Sequence, residues 1–228
     1  MITLEIGDAV MKLSELKEKM FDLAVIDPPY KLNKTTGGIS KTGFVDRWQG
    51  NIKGSDKKAS IINDIKFNEW LPEVYKVLKD DSHCYIFTND KNLADLQNEA
   101  EKVGFRLHNI LIWKKNNSTP NRWYMKNCEF ILFLYKGKAK PINDKGTSQF
   151  LEFKNKNGKE KYHPTEKPIE LLKVLIENSS KEGDIVLDCF MGSGSTGVAC
   201  KELNRNFYGI EIDEKYFSIA KERIEGIE

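Results

Sequence analysis

Short apolar stretches alternate along the chain with amphipathic stretches of helical length. Strands are predicted at residues 2–6, 23–26, 84–88, 107–113, 130–135, 184–188 and 207–212. Helices are predicted first as a short segment that opens near Ser14, and then at residues 68–79, 93–102, 169–179, 195–203 and 215–224. Pro72 fits the second of these helices only if it lies in a first turn, and Gly104 is expected to end the third.

This alternation predicts the fold class. Strands that alternate with helices through short connections form a mainly parallel sheet covered on both faces, so we expect an α/β, doubly wound chain. The strands at 107–113 and 130–135 have no helix between them, which predicts an antiparallel hairpin at one edge of the sheet. Two lysine-rich segments, at about 31–60 and 136–161, do not fit the pattern. We predict a single domain over 1–228 that carries them as inserted basic loops.

The bulk composition excludes several classes of protein. The 228 residues are 39% hydrophobic and 31% charged, which is too apolar for a disordered chain. The 4 cysteines show no paired spacing, which favours reduced thiols over a disulfide framework. No apolar run approaches the length of a membrane span, and the first residues do not resemble a signal peptide. We therefore expect a cytoplasmic protein.

The distribution of charge is more informative than the net charge of +2. Residues 31–58 hold seven basic and two acidic side chains, and residues 113–126 hold four basic side chains, three large aromatic ones and no acid. Lysine again dominates at 136–161. Bases interleaved with aromatic rings suit a polyanion with stackable bases. Lysine-rich loops are also ordinary solvated surface, and this alternative is open for each segment on its own.

A tetrapeptide at the end of the second predicted strand places acceptors beside a ring. Asp27, Pro28, Pro29 and Tyr30 follow the apolar run at 21–26. The two prolines have no N–H to donate and hold φ near about −65°, so the turn is stiff and presents its carbonyl oxygens. A carboxylate, a carbonyl and a ring at one strand end suit the exocyclic amino group of a flat base. The alternative is a plain strand-end turn.

A glycine-rich turn follows the sixth predicted strand. Gly192, Gly194 and Gly197 have the spacing G-x-G-x-x-G between a strand and a helix, and Glu211 lies nineteen residues after Gly192. This arrangement favours a cofactor that carries adenosine, with the acid on the ribose hydroxyls. A dinucleotide would bring its pyrophosphate to the helix N-terminus. Asp188 would repel a phosphate but would accept a cationic or amino-bearing ligand, so S-adenosylmethionine fits better.

Three motifs together resemble a known family. They are Asp27-Pro28-Pro29-Tyr30, His163-Pro164-Thr165-Glu166-Lys167-Pro168 and Asp188-Cys189-Phe190-Met191-Gly192-Ser193-Gly194. They look like those of the S-adenosylmethionine-dependent amino-group DNA methyltransferases, and their order resembles the permuted beta group, in which the cofactor loop comes last. The resemblance covers nearly the whole chain. It implies a Rossmann-like class I methyltransferase fold with a circularly permuted motif order.

The resemblance also implies residue roles. The catalytic residues would be Asp27, Pro28, Pro29 and Tyr30: the ring stacks on a flipped base, and the carboxylate and the Pro28 carbonyl accept its amino hydrogens. The residues that hold the cofactor would be Asp8, Asp27, Thr165, Lys167, Asp188, Phe190, Gly192, Gly194, Ser195, Thr196, Glu211 and Ile212. Together with the basic segments, the resemblance predicts DNA contacts at Lys31, Lys34, Arg47, Lys114, Lys115, Arg122 and Trp123.

Within the cofactor set, the expected contacts differ from residue to residue. Thr165 and Lys167 would close on the methionine carboxylate, Glu211 would hold the ribose, and Ile212 would pack on the adenine. Asp8 would accept from the adenine amino group. Two simpler roles are open as alternatives: Thr165 also suits an N-cap of the following helix, and Asp8 an ordinary turn.

The activity that the resemblance implies is site-specific methylation of the N6 amino group of adenine in duplex DNA. In this family an aspartate in the first position of the tetrapeptide is associated with adenine, and a serine more often with cytosine. N4-cytosine methylation is the nearest alternative, followed by methylation of RNA or of a protein glutamine, and by a non-catalytic DNA-binding subunit. Besides DNA, the partners considered are a second copy of the chain and a cognate restriction endonuclease, in a prokaryotic cell or a phage-infected host.

Overall fold

The protein is described by a computed structural model that covers residues 1–29, 65–119, 123–155, 162 and 166–226. The chain divides into two compact units. The first comprises Met1–Pro28 and Phe67–Glu228, and the second comprises Pro29–Lys66. The predicted basic loop at about 31–60 belongs to the second unit and lies outside the described residues. The single domain over 1–228 stays a prediction.

The described residues of the first unit form an eight-stranded sheet and six helices. The strands are β1 (Ile2–Ile6), β2 (Phe21–Ile26), β3 (Leu78–Thr88), β4 (Arg106–Thr119), β5 (Lys126–Tyr135), β6 (Phe150–Glu152), β7 (Ile185–Asp188) and β8 (Asn206–Glu211). The helices are α1 (Ala9–Ser14), α2 (Phe67–Val77), α3 (Leu93–Val103), α4 (Ile169–Ser179), α5 (Ser195–Glu202) and α6 (Glu214–Glu225).

The strands follow the order β1-β8-β7-β2-β3-β5-β4-β6 in the sheet. β5 is antiparallel to both of its neighbours, β3 and β4, and every other neighbouring pair is parallel. This confirms the predicted α/β fold with a mostly parallel sheet and an antiparallel hairpin. The hairpin is not the outermost element, because β6 pairs with β4 on its far side. A strand of three residues is too short for a periodic pattern to reveal.

The helices pack in two layers. Apolar residues of α4, α5 and α6 share one buried cluster with β2, β3, β7 and β8, in which Leu175, Ala199 and Ile224 face strand residues such as Phe87 and Phe207. On the other side, α2 lies between α1 and α3. The central strand β2 is buried along nearly its whole length, as expected for a parallel strand covered on both faces.

Two sequence predictions about helices were wrong. The first helix ends at Ser14 instead of opening there, because Asp8 is its N-cap and accepts from the N–H of Met11. Pro72 is the sixth residue of α2 and therefore lies beyond the first turn. The N–H that it lacks would have bonded to the carbonyl of Asn68. The buried face of α2, which includes Trp70, holds the helix in place despite this loss.

The lysine-rich segment at 136–161 begins far from the predicted catalytic motif. Lys136 lies at the amino end of β3, where its buried ammonium donates to the carbonyls of Tyr75 and Leu78, both at 2.7 Å. Asn143 bonds to the end of α4 through the carbonyls of Glu177 and Ser180. The segment then runs to the opposite end of the sheet and forms β6 there. DNA contact stays a prediction, and this path favours the residues from β6 onwards.

The sheet topology defines where a ligand would bind. The chain leaves β2 towards β3 on one side and leaves β7 towards β8 on the other, although β2 and β7 are neighbours. Ligands of open α/β sheets bind at such a switch point, outside the carboxyl ends of the strands. Asp27 directly follows β2, and Asp188 is the last residue of β7. No helix among the described residues is long and apolar enough to cross a membrane.

Gly194 and Gly183 form a matched pair for testing how tightly α6 packs on the glycine-rich turn. Both have a left-handed φ, +80° and +84°. A Cβ at position 194 would lie 2.9 Å from the Cβ of Ala220 and 3.0 Å from its Cα, whereas nothing lies within 4 Å at position 183. We expect Gly183→Ala to lower the free energy of unfolding by about 1–2 kcal/mol through backbone strain alone. Gly194→Ala should lower it by about 2–4 kcal/mol, because overpacking adds to the strain.

Urea denaturation of the two variants measures the difference. Equal losses would mean that α6 moves aside without cost, contrary to this expectation.

Candidate active site

Asp27 lies at the switch point in contact with a buried lysine. Its Oδ2 accepts from Nζ of Lys167 at 2.5 Å, and the Lys167 side chain is only 6% exposed. Pro28, the next residue of the tetrapeptide, is buried. Tyr30 lies outside the described residues, so its predicted stacking role stays a prediction. The structure thus pairs the proposed acceptor carboxylate with a cation.

Lys167 lies between two carboxylates. Its ammonium contacts Asp27 and lies 3.4 Å from Oε2 of Glu129, and the contact with a methionine carboxylate that the resemblance implied stays a prediction. The ammonium also lies 5.0 Å from the centre of the Phe87 ring. Burial on its own would lower the pKa of Lys167, but Asp27 and Glu129 outweigh it and raise the pKa. Its role towards the cofactor is untested, as is that of Thr165, which lies outside the described residues.

Asp188 accepts hydrogen bonds from the glycine-rich turn and from the helix that follows it. Its Oδ1 accepts from the N–H of Phe190 at 3.1 Å, and its Oδ2 accepts from the hydroxyl of Thr196 at 2.6 Å. The side chain is buried, and this burial raises its pKa to about 7, against the lowering effect of these two hydrogen bonds. The charges of Asp27 and Glu211 raise it further. A cationic group at this position would therefore be favoured.

Glu211 also accepts a hydrogen bond from the glycine-rich turn. Its Oε2 accepts from the N–H of Gly192 at 2.8 Å, and its Oε1 accepts from the N–H of Asp213 at 2.9 Å. Burial is the main cause that raises its pKa. A carboxylate oxygen has two lone pairs, so both oxygens can accept one further hydrogen bond each. The residue predicted to hold a ribose therefore also fixes the backbone of the turn.

The turn forms a cradle that fits the predicted cofactor. Gly192 and Gly194 have left-handed φ values of 53° and 80°, which glycine adopts at little cost because it has no Cβ. Ser195 begins α5, and its buried hydroxyl oxygen has no hydrogen-bond partner among the described residues. Phe190 packs edge-on against the Trp70 ring, 5.4 Å away between centroids. An unpartnered buried hydroxyl and an uncompensated buried acid both suit a polar, cationic ligand such as S-adenosylmethionine.

Two further predicted cofactor residues lie at the end of β8. The N–H of Gly7 donates to the carbonyl of Glu211 at 2.9 Å, which brings Asp8 close to this strand end. The carboxylate of Asp8 caps α1, a role that was not predicted for it, and its other oxygen can still accept. The Ile212 side chain is 43% exposed, which is unusual for a large apolar residue directly after a buried strand and fits a surface for a flat ring.

Glu166 and Arg223 connect two parts of the site, and no role was predicted for either of them. Arg223 of α6 donates to the carbonyl of Ser193 at 2.6 Å and to Oε1 of Glu166 at 2.9 Å. Oε2 of Glu166 accepts from the N–H of Tyr162, and both charged side chains are largely buried. This ion pair ties the glycine-rich turn to the segment that carries Lys167. Glu166 could have been noticed as a carboxylate inside a motif, whereas no local pattern marks Arg223.

The predicted DNA contacts divide into two groups. Lys31, Lys34, Arg47 and Arg122 lie outside the described residues. Lys114 and Lys115 lie on β4, where Lys114 pairs with Glu152 at 3.1 Å and Lys115 pairs with Glu129. Trp123 is 81% exposed at the turn between β4 and β5, next to Tyr124 and Met125, which are also exposed. Trp123, the aromatic residue among the predicted DNA contacts, is thus exposed to solvent, whereas Lys114 and Lys115 both form ion pairs within the protein.

Comparison with known proteins shows the family. The family model described as DNA methylase, for N6 and N4 methyltransferases, matches residues 21–222, so the chain belongs to this family. The Type II methyltransferase M2.DpnII of Streptococcus pneumoniae is 34% identical over 96% of this chain and 88% of its own length. The crystal structure of an M1.HpyAVI–SAM complex has a TM-score of 0.73 and 28% identity, and covers 98% of this chain and 99% of its own. These findings confirm the predicted class, the amino-group DNA methyltransferases.

One solved structure shows how far the fold alone reaches. The PvuII DNA methyltransferase, described as cytosine-N4-specific, has a TM-score of 0.73 at 17% identity, and covers 97% of this chain and 86% of its own. At this identity the likeness establishes the fold only. The same fold therefore serves an enzyme for cytosine, and the target base has to be argued from the site.

The burial of Asp188 predicts a pH dependence of stability. Its folded pKa of about 7 lies above the ordinary value of 3.8, so between these values the folded protein holds a proton that the unfolded chain has released. For this group, the free energy of unfolding is highest below the ordinary value and falls as the pH rises towards 7, by up to about 1.4 kcal/mol per pH unit. Asp188→Asn should flatten this part of the profile.

Urea denaturation of the cofactor-free protein at about pH 5 and about pH 7 tests this expectation. Asp95→Asn, on the exposed face of α3, serves as the control and should retain the wild-type difference. A wild-type difference retained by Asp188→Asn would show that another group titrates.

Proposed function

We propose that this protein is a site-specific DNA methyltransferase that methylates the N6 amino group of adenine in duplex DNA, with S-adenosylmethionine as methyl donor. The observation that carries this proposal is the meeting of two acids on neighbouring strand ends. Asp27 follows β2 and Asp188 ends β7, at the switch point of the sheet. One acid can bind the target amino group and the other can bind the cofactor. The methyl donor and the methyl acceptor are then bound at the same edge of the sheet.

The chain's own groups act on the target amino group through hydrogen bonding. The exocyclic amino group is paired inside the duplex, so the base has to leave the stack, at a cost of a few kcal/mol. Asp27 and the carbonyl of Pro28 then accept its two hydrogens. This draws the nitrogen lone pair out of conjugation with the ring and orients it towards the methyl group. Tyr30 stacks on the base, which returns about 1–3 kcal/mol.

The cofactor is held by the glycine-rich turn and the strand ends around it. S-adenosylmethionine supplies an electrophilic methyl group when it is bound. Asp188 binds the cationic methionine end of the cofactor, Glu211 accepts hydrogen bonds from the ribose hydroxyls, and Ile212 packs on the adenine. The unpartnered hydroxyl of Ser195 and the raised pKa of Asp188 support this assignment, since both groups gain a partner.

Adenine is favoured over cytosine by the identity of the first residue of the tetrapeptide. In the beta group that this chain resembles, an aspartate at the position of Asp27 goes with adenine, and a serine goes more often with cytosine. The partner of Asp27 supports a charged acceptor there, because Lys167 favours the ionised carboxylate. RNA and protein substrates are less favoured, since the chain belongs to a family of DNA methylases.

DNA is the polynucleotide partner in this proposal, and Trp123 with Tyr124 at the hairpin turn supplies aromatic surface for its bases. A second copy of the chain and a cognate restriction endonuclease belong to the same proposal as further partners. Light scattering of the purified protein tests for the homodimer.

Analysis of methylated DNA tests the reaction. After incubation with S-adenosylmethionine, DNA digests should contain N6-methyladenine, and Asp27→Ala should abolish its formation while the protein retains much of its cofactor binding. Asp80→Ala removes an exposed aspartate at the amino end of β3 and should leave the activity intact. A product that is only N4-methylcytosine would overturn the adenine assignment, and wild-type turnover in Asp27→Ala would remove Asp27 from the mechanism.

The exposed tryptophan predicts a specific loss of DNA affinity. Trp123→Ala should weaken binding of the target duplex by about 1–3 kcal/mol, the range for one base stacked on an aromatic ring. Trp123→Phe keeps a ring and should recover most of this loss. Fluorescence anisotropy with labelled DNA measures both, and calorimetry with S-adenosylmethionine should show unchanged cofactor affinity. Equal DNA affinity in Trp123→Ala and in the wild type would place the hairpin turn away from the DNA.

A further inference from the structure

Four charged side chains of alternating sign form a chain of contacts from the hairpin to Asp27. Lys115 of β4 pairs with Oε1 of Glu129 on β5, Oε2 of Glu129 lies 3.4 Å from Nζ of Lys167, and that Nζ lies 2.5 Å from Oδ2 of Asp27. The side chains are 20%, 19%, 6% and 22% exposed, in that order, so water reaches them poorly. We call these four residues the charge array.

The two inner members are charged because of their neighbours. Burial alone would raise the pKa of Glu129, but Lys167 and Lys115 outweigh it and lower the pKa. For Lys167 the opposite holds, since its two carboxylates outweigh burial and raise the pKa. The charge array therefore contains two carboxylates and two ammonium groups, with a net charge of zero. Removing one member leaves a buried charge without its full compensation, which is costly in a site of low polarity.

Aromatic rings restrict the movement of both lysines. Nζ of Lys115 lies 5.0 Å from the ring of Trp113, which is buried and donates from its indole nitrogen to the carbonyl of Phe153 at 2.9 Å. Nζ of Lys167 lies 5.0 Å from the ring of Phe87. Each ammonium is thus held between a carboxylate and a ring face. These contacts allow the charge array to hold a fixed geometry.

We propose that Glu129 is a positioning residue of the methyl-transfer reaction, which shares the Lys167 ammonium with Asp27 and, supported by Lys115, orients the Asp27 carboxylate. This inference rests on the proposed function, in which Asp27 accepts from the target amino group. One oxygen of Asp27, Oδ2, is held by Lys167, so the position of this ammonium sets the direction of the carboxylate. Without Glu129, the Lys167 ammonium interacts more strongly with Asp27, and the carboxylate is a weaker and less well oriented acceptor.

The effect should fall on the transfer step and not on cofactor binding. The glycine-rich turn is fixed by Asp188, Glu211 and Arg223, none of which belongs to the charge array. A loss of orientation at Asp27 leaves these contacts in place. It changes only how well the amino group is aligned, and such alignment acts on the rate of the reaction.

Glu129→Gln keeps the shape of the side chain and removes its charge. In single-turnover assays at saturating DNA and S-adenosylmethionine, we expect the rate of methyl transfer to fall about tenfold or more, with a cofactor dissociation constant within about twofold of the wild type. Glu99→Gln, which removes the acid of an ion pair on α3, is the matched control and should keep the wild-type rate. A Glu129→Gln rate equal to that of Glu99→Gln overturns the proposal.

Lys115 provides a second test if Glu129→Gln does not fold. Lys115→Met should slow the transfer step. Lys115→Arg keeps a positive charge beside Glu129 and should therefore retain most of the wild-type rate. Equal rates in both variants would contradict the role of the charge array. A wild-type protein that transfers no methyl group to DNA would contradict the proposed function itself.

A stability cycle tests the charge array without any substrate. Asp27→Asn and Glu129→Gln remove the two acids that share Lys167, so their effects on the midpoint of urea unfolding should not be additive. Additive shifts in the double variant would show that the two acids are independent, and would overturn the proposal whether or not the protein methylates DNA.

Discussion

The pairing of β2 with β7 is the constraint on which the site depends, because it joins parts of the chain that are far apart in the sequence. Oδ2 of Asp22 accepts from the N–H of Ile185, 163 residues away, and Oδ1 of the same carboxylate pairs with Lys79 of β3. One carboxylate at the amino end of β2 thus bonds to both neighbouring strands, β7 and β3. At the carboxyl end, the same pairing brings Asp27 next to Asp188. The two motifs form one site only through this register.

Two buried ionic clusters hold the remaining parts of the site in place. Arg223 and Glu166 connect the glycine-rich turn to the segment before α4, and the charge array connects that segment to β2 and the hairpin. Adjacent positions, Glu166 and Lys167, therefore serve different clusters. Ion pairs of this kind contribute little net stability when they are compared with apolar packing, but they define one arrangement, since every alternative leaves a buried charge unpaired.

Much of the fold and part of the site could be predicted from the sequence, for physical reasons that differ between residues. The buried strands, the glycine-rich turn and the acids that follow β2, β7 and β8 are local features, and periodicity or spacing marks them. Glu129 lies close to Lys167, 38 residues further along the chain, and Arg223 donates to Ser193, 30 residues before it, and no local pattern encodes such a pairing. The start of α1 was missed because the acid that caps it, Asp8, was interpreted only as a ligand or a turn residue. The sequence therefore marks the candidate residues for the chemistry, and the fold determines which other residues contact them.

The electrostatic difference between the two neighbouring acids gives the site a direction. Asp27 is compensated by Lys167, whereas among the described residues Asp188 accepts from the hydroxyl of Thr196 and the N–H of Phe190, both neutral. A cationic ligand therefore gains more beside Asp188, whose burial raises the pKa to about 7, than beside Asp27, whose charge already has a partner. In the proposed function, Asp27 in turn accepts from a neutral amino group. An acid left without a cation lowers the stability of the cofactor-free protein, and such a local conflict with folding is typical of a site arranged for its ligand.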